Sequence, residues 1–294
     1  MKVVGLGGGH GLAATLRAGL TYANDIAAVV TVADDGGSSG RLSRDLGIPP
    51  PGDIRNCLVA LAEQSPLVDM FQHRFSGGAL TGHTVGNLII AALTEKTGDF
   101  AQAVAAAGEL LDARGRVYPA TTELVRLNAR VDGGVVSGQV AVAQTRPPIQ
   151  AVYLEPSDPV GHGPAVQAIL DADQIVLGPG SLFTSLIATL LVPDVRSALT
   201  ATKARRVFVC NARMQKGETE GLTASAHVEA VLAHTGPDAI DAVVVQEPQR
   251  QQEGVQVDRN ALAFSGIEIV TADVADESGA HDPVKLGAVL RRLG

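Results

Sequence analysis

Residues 2–40 read KVVGLGGGHGLAATLRAGLTYANDIAAVVTVADDGGSSG, and this stretch decides the fold. Residues 2–6 form a short apolar run stopped by glycines, which predicts a buried strand. Residues 11–19 carry Leu12 and Leu16, continued by Leu20, at helical spacing. Residues 26–32 are a second continuous apolar run, as expected of a strand buried on both faces. Strand, glycine loop, helix, strand is a βαβ unit, which implies a parallel sheet covered by helices.

The rest of the chain extends this pattern. Residues 49–111 read as helical: PPPGDIRN announces a start with Asp53 placed to cap the turn, and further helices are expected at 66–75, 83–94 and 100–111. Residues 117–142 alternate apolar with polar and break at Asp132-Gly133-Gly134, a hairpin signal. The main pattern is expected to resume at 151–154, with a helix near 165–170, a strand at 174–177 and a glycine turn opening a helix at 181–191. Later strands are expected at 207–210, 242–245 and 267–270, with helices at 224–234 and 283–293. The predicted fold class is α/β: a Rossmann-like, doubly wound, mostly parallel sheet. We expect one nucleotide-binding domain over 1–294, with a helical insertion at about 49–112 and a β-rich excursion at about 115–145. QRQQEG (249–254) reads as a mobile loop.

Composition narrows the function classes. The chain has 294 residues, 46% hydrophobic, with no Trp and only 3% aromatic residues, so the core must be closely packed Ala, Val, Leu and Ile. A net charge of −8 and few aromatics argue against nucleic-acid binding, by phosphate tracking or by stacking. Cys57 and Cys210 lack metal or disulfide spacing and read as small buried residues. MKVVGLGGG has no signal-peptide pattern. No apolar run approaches the roughly 18 residues of a membrane span. A cytoplasmic protein is expected.

Four stretches could carry chemistry. GLGGGHGLAA (5–14) places Gly8, Gly9, His10 and Gly11 between strand and helix, where backbone N–H groups and the helix dipole favour a phosphate. Residues 9–14 also satisfy G-x-G-x-x-A, the looser dinucleotide fingerprint. In ADDGGSSGR (33–41), Asp34 follows Ala14 by 20 residues at a strand end, the position of an acid that grips ribose hydroxyls. Asp35 is either a turn cap or, with Asp34, a Mg²⁺ ligand. Ser38 and Ser39 add hydroxyl donors, and Arg41 supplies charge compensation. GDIRN (52–56) and GHTVGNL (82–88) put Asp53 with Asn56, and His83 with Asn87, on helical faces. Finally, LGPGSLFTS (177–185) repeats the first loop with Gly178, Pro179, Gly180 and Ser181, and Asn211 after VFVC points toward the same cleft.

In this order GGGHGL, TVADDGGSSGRL, PPGDIRN, GHTVGNL, LGPGSLFTS and N-x-x-x-Q-x-GET (211–219) resemble the gluconeogenesis factor (YvcK-like) family, whose superfamily includes the CofD-like 2-phospho-L-lactate transferases. The resemblance runs over essentially the whole chain. It implies a Rossmann-like protein that binds nucleotides, notably UDP-sugars, and serves bacterial growth and cell shape on gluconeogenic carbon. The transferase branch implies Mg²⁺, held here by Asp34 and Asp35. Family habit further implies a homodimer. Carried over by position, the glycines, acids, serines and amides named above line the cleft. The chain departs from the family at His10, where Thr is usual, and at Ala226, where Asp precedes the His. At Ala280-His281-Asp282 the family reads Arg-His-Asp, and no Tyr precedes Glu253-Gly254. If the missing Arg and Tyr contact uracil or sugar, the ligand differs.

Overall fold

The computed structural model describes residues 1–146, 148–249, 253–263 and 266–294. Its strands in chain order are β1 (Lys2–Gly7), β2 (Asp25–Val30), β3 (Arg116–Pro119), β4 (Arg126–Val131), β5 (Gly134–Ser137), β6 (Ile149–Glu155), β7 (Gln174–Leu177), β8 (Arg205–Val209), β9 (Ala242–Gln246) and β10 (Glu268–Ala272). Seven of them form one sheet in the order β10-β9-β8-β7-β1-β2-β3, and each pairing in it is parallel. This is the Rossmann-like, doubly wound order. The chain runs outward from β1 to β3, then returns to the other side of β1 at β7. The crevice beyond the carboxyl ends of β1 and β7 is the switch point where such sheets receive ligands.

Both faces of the sheet are buried, which explains the unbroken apolar runs. Ala27 and Val29 of β2 join Val4 and Leu6 of β1 in one core layer. Ile26, Ala28 and Val30 point the other way, onto Leu12, Leu16, Ile54 and Leu58. The helices that supply those residues are α1 (Gly9–Gly19) and α3 (Gly52–Leu61), and α2 (Gly37–Leu46) lies between them in sequence. Next come α4 (Pro66–Gln72), α5 (Val85–Thr97) and α6 (Phe100–Leu110), which complete the helical insertion.

Three expectations need correction. Residues 116–119 are not part of the hairpin; they pair with β2 as the edge strand of the main sheet. Residues 151–154 do not rejoin that sheet: β6 pairs antiparallel with β4, giving a separate β5-β4-β6 sheet. The reason is visible in burial, since only alternate residues Val152 and Leu154 of β6 are buried, the pattern of a strand with one wet face. Residues 37–46 form a helix where none was expected. Ser38, Ser39, Gly40 and Leu42 are its buried side. Gly40 is required there, because a β-carbon would lie 1.9 Å from the Asp35 carbonyl oxygen. A further helix, Pro193–Ala201, starts with proline in its first turn and was not foreseen.

Cys57 and Cys210 are buried thiols. Among the described residues no single helix is long and apolar enough to cross a membrane; the apolar segments Leu182–Leu190 and Pro193–Ala201 meet at 76°. Of QRQQEG, residues 250–252 lie outside the described residues.

Candidate functional site

β1 ends at Gly7 and α1 begins at Gly9, so the first glycine turn has Gly8 alone between them. A β-carbon on Gly8 would lie 2.4 Å from Asp53 Oδ2, and one on Gly11 would lie 2.4 Å from the Pro179 carbonyl oxygen. Glycine is therefore demanded by neighbours within the fold on both sides. The second turn is bound to the first, since Thr15 Oγ1 donates to the Gly178 carbonyl at 2.6 Å. Sequence reasoning put Gly8, Gly9, Gly11 and Gly178–Ser181 at one place, and they meet at the switch point; His10 stands exposed at its rim.

Asp53 is not a cap. Pro51 takes that position and Asp53 sits in the first turn of α3, where its carboxylate accepts the Gly9 N–H. Burial, reinforced by the charge of Asp34, pushes Asp53 up to about 7, against the pull of Gly9 and Arg55. Asp34 accepts the Gly36 N–H at 2.9 Å. Burial also raises Asp34, opposed by its hydrogen bonds from Gly36 and Ser39. Asp35 goes elsewhere: its carboxylate accepts the Val140 N–H at 3.0 Å, at the start of helix Gln139–Ala143. The adjacent acids thus diverge, and Asp53 rather than Asp35 shares Asp34's interior. Arg41 does not compensate them, because its Nη2 donates to the Thr81 carbonyl at 2.7 Å.

Ser38, Ser39, His83 and Asn87 form one network. Ser38 Oγ lies 3.0 Å from His83 Nδ1, and Asn87 Nδ2 donates to Ser38 Oγ at 3.1 Å and to Ser39 Oγ at 3.5 Å. Burial, and Arg41 nearby, lower His83, so the imidazole is neutral at physiological pH. Asn56 Oδ1 accepts from Arg55 Nη2 at 2.5 Å. Beside this group a cavity of about 650 Å³ opens along Asp34, Asp35, Ser43, Arg44, Arg126 and Glu155.

At the second turn, Asn211 clamps Gly180. Its Oδ1 accepts the Gly180 N–H at 3.0 Å and its Nδ2 donates to the Gly180 carbonyl at 2.8 Å. Gln215 Nε2 donates to Ser181 Oγ at 2.9 Å. Glu218 then fills the start of the following helical turn, Leu182–Ile187, accepting the Phe183 and Thr184 N–H groups at 2.7 and 2.8 Å. Glu218 and Arg55 escaped sequence reasoning as individual residues. Glu218 had only its motif as a signal, because its partners lie over 30 residues away. Arg55 left a clearer trace: it is a charge inside the otherwise apolar, buried run 54–61, apart from Asn56.

Asp34 and Asp53 are a donor set suited to Mg²⁺, which takes one or two carboxylates and fills its remaining positions with water or phosphate. Among the described residues, no group of three or more His, Cys, Asp or Glu side chains is gathered to hold a metal.

A parallel sheet that reverses at β1 and β7, with glycine turns on both sides of the reversal and acids beyond β2, defines a Rossmann-like α/β protein with a polar crevice at its carboxyl edge. The family model described as 2-phospho-L-lactate transferase CofD matches residues 3–275. The gluconeogenesis factor of Bacillus subtilis is 42% identical over 98% of this chain and 96% of its own. That of Halalkalibacterium halodurans is 43% identical over 92% and 88%. A crystal structure of a UPF0052-family protein from Bacillus halodurans superposes with a TM-score of 0.95 at 40% identity, covering 98% of both chains. This chain belongs to the CofD/UPF0052 family, in the group whose relatives are named gluconeogenesis factors.

Proposed function

We propose that the protein is a gluconeogenesis factor that binds a nucleotide sugar of the UDP-sugar class in the switch-point crevice, and through it supports growth and cell morphogenesis on gluconeogenic carbon. The observation that carries this reading is the position of Asp34. It follows β2, the neighbour of β1, and it flanks a glycine turn at the start of α1, the arrangement in which an acid meets ribose and a turn meets phosphate. Calorimetric titration with UDP-N-acetylglucosamine tests the reading. Saturable heat that Asp34→Asn abolishes supports it, and the absence of heat with every UDP-sugar overturns it.

A second reading has its own observation. The charge of Asp34 adds to burial in raising the proton affinity of Asp53, and a divalent cation between them would offset that charge. In a Mg²⁺-dependent transferase of the phospholactate type, these two acids would hold the ion, which would neutralise charge on a nucleoside diphosphate-linked donor. Asp35, tied to Val140, would position the helix rather than bind metal. Mg²⁺-dependent product formation that Asp53→Asn removes and Asp35→Asn retains would favour this reading over binding alone.

A further inference from the structure

Unlike α1 and the turn at Leu182–Ile187, α5 has no carboxylate on its first N–H groups among the described residues. Thr84 is its N-cap, yet the side chain makes no cap hydrogen bond; its hydroxyl is 1% exposed with no partner. The Val85 N–H reaches the His73 carbonyl at 3.0 Å, while the next two N–H groups, of Gly86 and Asn87, have no backbone acceptor among the described residues. Three arginines converge here, two from helices and one from the segment after α4. Arg55 on α3 is 8% exposed, lays its Cδ 2.9 Å from where a Gly86 β-carbon would be, and has an unpartnered Nε. Arg41 on α2 brings Nη2 to 3.0 Å from the corresponding position on Gly82, and its Nε is also buried and unpartnered. Arg74, exposed, donates Nη1 to the Gly82 carbonyl at 2.6 Å.

Among the described residues none of the three arginines forms a salt bridge. The nearest acids act only at longer range, Asp53 on Arg55 and Asp45 on His83. Unpaired buried donors of this kind are costly, and a cluster of them calls for an acceptor with several oxygens. A helix N-terminus with arginine forks matches a tetrahedral oxyanion. The remaining unpartnered atom in the cluster, Asn87 Oδ1, is an acceptor that a ligand hydroxyl can satisfy.

We propose that the start of α5 is an oxyanion subsite, formed by Arg41, Arg55, Arg74, Thr84 and the Gly86 and Asn87 N–H groups, that takes a hydroxyl-bearing phosphoryl group. The ligand is free hydrogen phosphate or a phosphate monoester. The subsite shares Asn87 with the Ser38–His83–Asn87 network. It does not rest on the nucleotide-sugar reading.

The test is calorimetric titration of the full chain with inorganic phosphate, and separately with glycerol 3-phosphate, at constant ionic strength. Saturable binding is expected in one or both arms, and the tighter ligand identifies the source. Arg41→Ala and Arg74→Ala should each weaken it about tenfold, the loss expected of one charge-assisted hydrogen bond. Arg114→Ala, at the surface ion pair with Glu63, should leave it unchanged. Both arginine variants remove side chains that are not fully buried, so their fold is expected to survive. No saturable binding of either ligand, or equal binding by wild type and both variants, overturns the proposal. Phosphate binding without any response to UDP-sugars keeps this subsite and discards the nucleotide reading. A UDP-sugar response with no phosphate binding does the reverse.

Discussion

The second glycine turn and the start of α5 treat the same physical feature in opposite ways. Each is a helical start whose first N–H groups lack partners within the helix. After the second turn, Glu218 reaches across the fold and takes the Phe183 and Thr184 N–H groups and the Thr184 hydroxyl, and the site is closed and structural. At α5 no carboxylate arrives among the described residues, and Arg55, Arg41 and Arg74 lie about its start instead. The first turn is intermediate, since Asp53 accepts one N–H at α1 while burial, reinforced by Asp34, pushes its carboxyl up to about 7. A glycine turn before a helix is thus no guarantee of a vacant phosphate cradle. What fills the N-terminus from elsewhere in the chain decides.

Glu218→Ala should show the largest effect. It strands two buried N–H groups and a hydroxyl and hollows the core, for a loss of about 4 kcal/mol in urea unfolding. A loss below about 1 kcal/mol would mean that water replaces Glu218 and that the second turn is not closed as described.

Asp53→Asn comes next, and its effect depends on pH. A carboxyl raised to about 7 in the fold and near 3.8 when unfolded costs stability as pH climbs between those values, with the full cost above 7. Removing the charge should therefore stabilise the protein by about 3 kcal/mol at pH 8, and by little at pH 4. Thermal melts at the two pH values check the sign. Equal shifts at both would show that burial and Asp34 do not raise Asp53 in the fold.

Gly11→Ala probes the contact between the turns. Its methyl would meet the Pro179 carbonyl and Gly180 Cα, and overpacking of this kind costs about 2 kcal/mol. If the variant is as stable as wild type, the turns do not press together, and glycine at 11 serves a ligand instead.

How much of this was legible in the sequence follows from range. The strands of the main sheet other than β3 could be read because burial on both faces writes itself as continuous apolar runs, as in 26–32. The gathering of Asp34, Ser38, Ser39, His83 and Asn87 was legible only through the family resemblance; helical spacing paired His83 with Asn87 alone, and His83 in fact lies just before α5 rather than on it. The helix α2 was hidden, because Gly37-Ser38-Ser39-Gly40 reads locally as a turn and becomes helical only by burying its serines under α5. Partners for individual groups were illegible for the same reason. Nothing near 35 says that its carboxylate holds Val140, and nothing near 183 says that Glu218 will cap it.

Thr84→Val gives the smallest expected effect and the sharpest test of the comparison. A threonine at an N-cap ordinarily contributes about 1 kcal/mol, because its hydroxyl accepts an N–H of the first turn. Here that bond is absent and the hydroxyl is buried without a partner. Valine has nearly the same shape and removes an unsatisfied polar group, so unliganded stability should change by less than about 0.5 kcal/mol or rise slightly. With phosphate present, the same substitution should weaken binding, because the hydroxyl is then a donor to the oxyanion. A destabilised unliganded variant would show that Thr84 caps α5 in solution, and the contrast with the Glu218-closed turn would fall. Unchanged stability together with weakened phosphate binding would show that the hydroxyl is held there for a ligand.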